Sequence, residues 1–181
     1  MTSPAMNDER FWAIIDRTAV HADNPAAQIK SLEKALTALP LEHLPGFEQA
    51  FREAIDRAFT WDLWGACYVI HGEASEEAFE AFRVWLLSKG REAFETALND
   101  PEWLARQDLE PGPDGILAFD EFGEVAAAVW RARGGTGAIG DHVDVPAGLD
   151  EPEGDPFEED EDHLSARFPR LWKRYGESPL G

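Results

Sequence analysis

The sequence predicts an all-α protein: a single multi-helix domain, an acidic irregular segment, and a C-terminal docking helix. Three observations predict it. Apolar residues recur every three to four positions in at least five separate segments. Those segments start at Asn, Ser or Pro and stop at Gly or Pro, the residues that cap and break helices. The chain also has 181 residues with 44% hydrophobic and 29% charged side chains, enough for one core without covalent staples.

The first helix is expected at about 8–21, with Phe11, Ile14, Ile15 and Thr18 on one face and Asn7 or Asp8 as its cap. Asn24-Pro25 opens a second, whose stripe is Ile29, Leu32, Leu36 and Leu39, and Pro40 stops it. A third covers about 44–59, with Phe47, Phe51, Ile55 and Phe59 spaced four apart. The stretch WDLWGACYVIHG (61–72) is apolar nearly all round, which suits a short helix buried on several sides, with a strand at 66–70 as the weaker reading. Gly72 stops it and Ser75 caps the next helix, whose Glu76 and Glu77 complement the helix dipole. Phe79, Phe82, Trp85 and Leu86 give that helix a wide aromatic face, and Gly90 ends it. Short helices follow at about 91–98 and 101–107, and the turn PGPDG (111–115) is a strong break. Residues 116–133 then read as a helix with Phe119, Phe122, Ala126, Val129 and Trp130 inward. The helical domain is therefore placed at 8–133.

Residues 134–162 have a different character. They hold eleven acidic residues, six glycines, three prolines and no lysine or arginine. Such a segment has little apolar surface to offset its ordering entropy, so a mobile acidic linker is expected. Its main apolar anchors are Ile139, Val143, Val145, Leu149 and Phe157. Beyond it, 163–176 is apolar and basic again and reads as the docking helix, with Pro169 as an alternative start.

Charge narrows the function. Thirty-six acidic residues against sixteen basic ones give a net charge of −20. That surface repels phosphate backbones, so direct nucleic-acid binding is not expected, while a basic protein partner or acidic mimicry of a nucleic acid stays open. Cys67 is the only cysteine and reads as a small buried apolar residue. No leader pattern precedes ERFW and no apolar run nears the roughly 20 residues of a membrane span, so a soluble, cytoplasmic protein is expected.

The segments ERFWAIID, WDLWGACYVIHG and FEAFRVWLLSKGREAFETAL with its following NDPEWL resemble an uncharacterised bacterial family, domain of unknown function 4240. The resemblance covers about 8–130. It implies a helical domain and a bacterial origin, and carries no activity with it.

The chemistry-bearing candidates are polar residues set among aromatics. Asp62 lies between Trp61 and Trp64, Arg83 between Phe82 and Trp85, and Arg91 follows Gly90. A buried charge needs a partner, so Asp62 with Arg83 or Arg91 is expected as an ion pair joining two helices. The competing reading is a pocket in which an arginine holds a small anion over aromatic walls. His71, at the end of an apolar helix, is expected to favour its carbonyl end when protonated; a general-base role lacks an identifiable partner. Trp61, Trp64, Tyr68 and Trp85 form the candidate aromatic surface. No metal or cofactor motif is present, and the cluster Asp141, His142 and Asp144 in a glycine-rich loop reads as solvated. With no catalytic constellation visible, the preferred reading is a protein–protein interaction module: an adaptor, regulator or immunity-type protein. An enzyme or small anionic-ligand binder near Asp62, His71, Arg83 and Arg91 is the alternative.

Overall fold

A computed structural model describes residues 4–144 and 149–181. Among the described residues seven helices build the body: α1 (Asp8–Ala19), α2 (Pro25–Thr37), α3 (Leu44–Arg57), α4 (Trp61–His71), α5 (Glu76–Ser88), α6 (Arg91–Asn99) and α7 (Asp120–Ala132). A short α8 (Glu161–Arg167) and the single turn α9 (Pro169–Leu171) follow, and a π-type turn over Trp172–Gly176 closes the chain. Among the described residues there is no strand, only one isolated parallel bridge between Thr60 and Glu153. The all-α class follows.

Local sequence sets the boundaries. The side chains of Asn7, Asn24, Thr60 and Ser75 each accept the N–H three residues on, capping α1, α2, α4 and α5. Gly72 takes the left-handed conformation, φ 84°, that ends α4. Helix α4 carries Leu63, Ala66, Cys67, Val69 and Ile70 inward on several sides, so it is surrounded rather than surface-laid. Gly65 lets the chain's final segment approach it: a Cβ there would stand 2.6 Å from the Phe168 ring.

The core is aromatic. Phe11, Trp12, Phe47, Phe79, Phe82, Phe94 and Phe122 are at most 1% exposed. Burying each such side chain contributes about 1.5–3 kcal/mol before the opposing entropy is counted.

Two expectations change here. The 116–133 helix begins only at Asp120, because Leu117 donates its N–H to His71 Nε2 (3.0 Å) and Leu117 and Phe119 are buried from an extended run. The α2 stripe is Gln28, Leu32 and Leu36, with Ile29 only partly buried. Gln28 goes inward because Nε2 donates to the Ser88 carbonyl (2.7 Å) and to Thr18 Oγ1 (3.3 Å), tying α2 to α5 and α1.

The acidic segment is attached to the domain at separate points. Ile139, in a 3-10 turn over Ile139–His142, is 4% exposed and belongs to the core, although the 134–162 segment was expected outside it. The backbone of Glu153 donates to Phe59 O (3.0 Å) and accepts from Trp61 N–H (2.9 Å). Phe157 lies edge-on to Trp61 and tilted against Tyr68, at 6.0 and 5.5 Å between ring centroids. Leu149, by contrast, is exposed, and Val145 falls outside the described residues. A few apolar anchors suffice to seat a chain whose other residues stay in water.

Candidate functional site

The expected ion pair does not form. Asp62 accepts from Arg167 instead (Nη2–Oδ1 2.8 Å, Nε–Oδ1 3.2 Å), with its side chain 63% exposed. The same guanidinium donates to the carbonyls of Asp155 and Pro156, so Arg167 clips the acidic segment to the first turn of α4. Arg91 turns to the N-terminus of α1, meeting Asp8 at 2.6 Å and Glu9 at 3.0 Å, while its backbone N–H donates to Asp16. Those carboxylates hold the Arg91 guanidinium above its ordinary value, the hydrogen bond to Glu9 first.

Arg83 is the interior one. It is 7% exposed and lies over Phe59 and Phe79, at 4.8 and 5.0 Å from the ring centroids. One Nη donates to the Ile55 carbonyl at 3.0 Å, and Nε has no partner among the described residues. Burial lowers the guanidinium from its ordinary value, against the raising pull of Glu80, Asp56 and Glu76. Aromatic faces and a backbone carbonyl thus replace the carboxylate expected from sequence.

His71 is held on both ring nitrogens. Nε2 accepts the Leu117 N–H, so the proton is assigned to Nδ1, which donates to the Cys67 carbonyl at 2.9 Å. Burial lowers its pKa, with the Cys67 bond and Asp114 acting in the opposite direction. A neutral ring that clamps α4 to the 116–119 run replaces the protonated end-cap expected from sequence. Cys67 Sγ lies 3.5 Å from Nδ1, yet burial pushes the thiol far up, so the pair is not an activated nucleophile.

The aromatic candidates divide. Trp61 stacks on Trp64 at 5.3 Å and 8°, and Trp64 on Phe79 at 5.1 Å and 11°; the three tryptophan-segment residues Trp61, Trp64 and Tyr68 are half-buried along one edge. Trp85 is elsewhere, buried against Phe82. Asp141 caps its own turn through the Ala138 N–H, and His142 reaches the Thr136 carbonyl at 2.7 Å. No group of three or more His, Cys, Asp or Glu side chains is gathered for a metal ion among the described residues.

What the structure does build is an open cleft of about 660 Å³ at the C-terminal end of α4. Tyr68 and His71 line it from α4, Glu73 and Ser75 from the following turn, Asp114 from the loop before α7, and Glu159 from the acidic segment. Three carboxylates around one phenol and one neutral imidazole make a site for positive charge. Burial raises the Tyr68 hydroxyl, and Glu159 and Glu73 raise it further, so the phenol keeps its proton as a donor or acceptor. Sequence reasoning found Tyr68 and His71. It missed Glu73, Asp114 and Glu159, which belong to three separate loops and carry no spacing signal.

Fold and site define the class: an acidic, all-helical domain with a filled aromatic core and an acid-lined cleft. The chain belongs to the family described as a protein of unknown function (DUF4240), whose model matches residues 6–132. No curated protein and no solved structure matches it. No helix among the described residues is long and apolar enough to cross a membrane.

Proposed function

We propose that the protein is an interaction module of the bacterial cytoplasm that receives a basic segment of a protein partner at the cleft beside α4. One observation carries this reading. Asp62, His71, Arg83 and Arg91 each make intrachain contacts, whereas the cleft's carboxylates Glu73, Asp114 and Glu159 form no ion pair among the described residues. A lysine or arginine entering there would meet complementary charge, with the net charge of −20 steering its approach. The same field disfavours direct contact with nucleic acid.

The test is a titration with a Lys/Arg-rich peptide and an acidic control of equal length, followed by amide shifts. Shifts at Glu73, Asp114 and Glu159, for the basic peptide only and weakening as salt rises, are expected. Glu73→Gln with Asp114→Asn should weaken binding about tenfold, the order seen when interface charges lose their partners. Binding that ignores both the substitutions and the salt overturns the reading.

A further inference from the structure

A second concavity, sharing no lining residue with the first, lies where α5 meets α6 and the 3-10 turn Pro101–Arg106. It measures about 300 Å³, within the range of small-molecule sites. Trp85, Leu86, Trp103 and Leu104 give it apolar walls. Among the described residues Lys89 is its only cationic lining residue, with Nζ 5.1 Å from the centroid of the Trp85 ring. No carboxylate lies within ion-pair distance of Lys89 among the described residues.

A lysine in that position has an unusual environment. Lysines ordinarily keep the ammonium in water and bury only the stem. Here burial lowers its pKa, with Glu110 alone pulling the other way. The ammonium rests on an indole face beside an open space, with no carboxylate at ion-pair distance among the described residues. The remaining charges set the ligand's size and valence. Asp23, Asp108 and Glu110 also line the concavity, so a polyphosphate or other polyanion would bring repulsion along with its attraction to Lys89. A single negative group on a flat apolar body meets the lysine and the two tryptophans with less of that repulsion than a polyanion.

We propose that this concavity is a small-molecule site for an aromatic or similarly flat ligand bearing one carboxylate, with Lys89 pairing the carboxylate and Trp85 and Trp103 flanking the ring. Every lining residue falls between 22 and 110, inside the span matched by the family. The site therefore belongs to the family domain and owes nothing to the acidic segment. It is also separate from the acid-lined cleft, so either proposal can fail alone.

The experiment is an isotope-edited titration of the full chain, reading the indole N–H signals of Trp85 and Trp103, with benzoate, 2-naphthoate and indole-3-acetate. The matched uncharged alcohols and inorganic triphosphate serve as controls. Saturable shifts at both indoles are expected for at least one carboxylate, at dissociation constants on the order of 1 mM or tighter, as small ligands allow. Lys89→Gln should weaken that carboxylate about tenfold or more, and leave the matching alcohol unchanged. Triphosphate should shift neither indole. Absence of saturable shifts for all three carboxylates overturns the proposal, as does equal affinity in wild type and Lys89→Gln. Lys89→Arg keeps the charge; if Lys89→Gln fails to fold, retained carboxylate binding in Lys89→Arg with loss of binding in Lys89→Met carries the same decision.

Discussion

The α3–α5 seam and the α1–α6 seam each contain an arginine that follows an aromatic or glycine punctuation in the sequence, and they use it in opposite ways. Arg83 is enclosed between two phenylalanine faces and one carbonyl, with no carboxylate at ion-pair distance among the described residues. Arg91 sits at the surface with two carboxylates at hydrogen-bond distance. The visible ion pair is the weaker contributor, because exposed charges gain little from each other in high dielectric. The unpaired arginine is the structural one, because removing it opens a gap among rings that cannot close over a bare carbonyl.

The largest effect that tests this contrast is Arg83→Ala. It removes two cation–π contacts and strands the Ile55 carbonyl, and is expected to cost about 3 kcal/mol in urea denaturation. A cost below that of an ordinary surface substitution would mean that Arg83 is a spectator.

Glu102→Ala comes next. The Glu102 carboxylate, buried and 9% exposed at the residue level, accepts the N–H groups of Arg170 (3.2 Å) and Leu171 (2.9 Å), so it caps α9 from across the fold. Losing a cap of this kind costs about 1–2 kcal/mol. The loss should localise, with faster hydrogen exchange at Leu171 and Tyr175 and unchanged exchange in α1 and α2.

His71 offers a pH test. Its folded pKa is lowered below 6.5, so its contribution to stability is complete above the unfolded value and is lost as pH falls through the folded one. The ring resonance should titrate with a midpoint below 6.5, and stability should decline as pH drops from that value. A midpoint above it would mean that the Leu117 N–H does not occupy Nε2.

The smallest effects belong to the surface pairs. Asp62→Ala is expected to change stability by less than about 1 kcal/mol, since its carboxylate is mostly exposed even though Arg167 is not. Arg91→Ala should leave the denaturation midpoint close to the wild-type value. A large loss from Arg91→Ala would reverse the comparison between the two seams.

Mobility of the acidic segment is a separate measurement. The anchors at Ile139, Glu153 and Phe157 predict protection at those points, while the exposed Asp150, Glu151 and Asp155 between them exchange fast. Uniform protection, or none, would replace the picture of a strap held at intervals.

Local physics settled much of this protein before any tertiary contact was known. Caps at Asn7, Asn24 and Ser75, the stop at Gly72 and the four-residue spacing of α3 act within one or two turns, so they are readable in one dimension. The enclosed character of α4 was legible too, since a helix apolar all round has nowhere else to go. Partner choice was not. Asp62 meets Arg167 across 105 residues, Glu102 meets Leu171 across 69, and Gln28 meets Ser88 across 60. Charge complementarity alone offers each carboxylate sixteen lysines and arginines to choose from, and only the path of the backbone selects among them. The two concavities have the same origin: their walls are assembled from loops and helix ends far apart in the chain, so their chemistry exists only once the helices have packed.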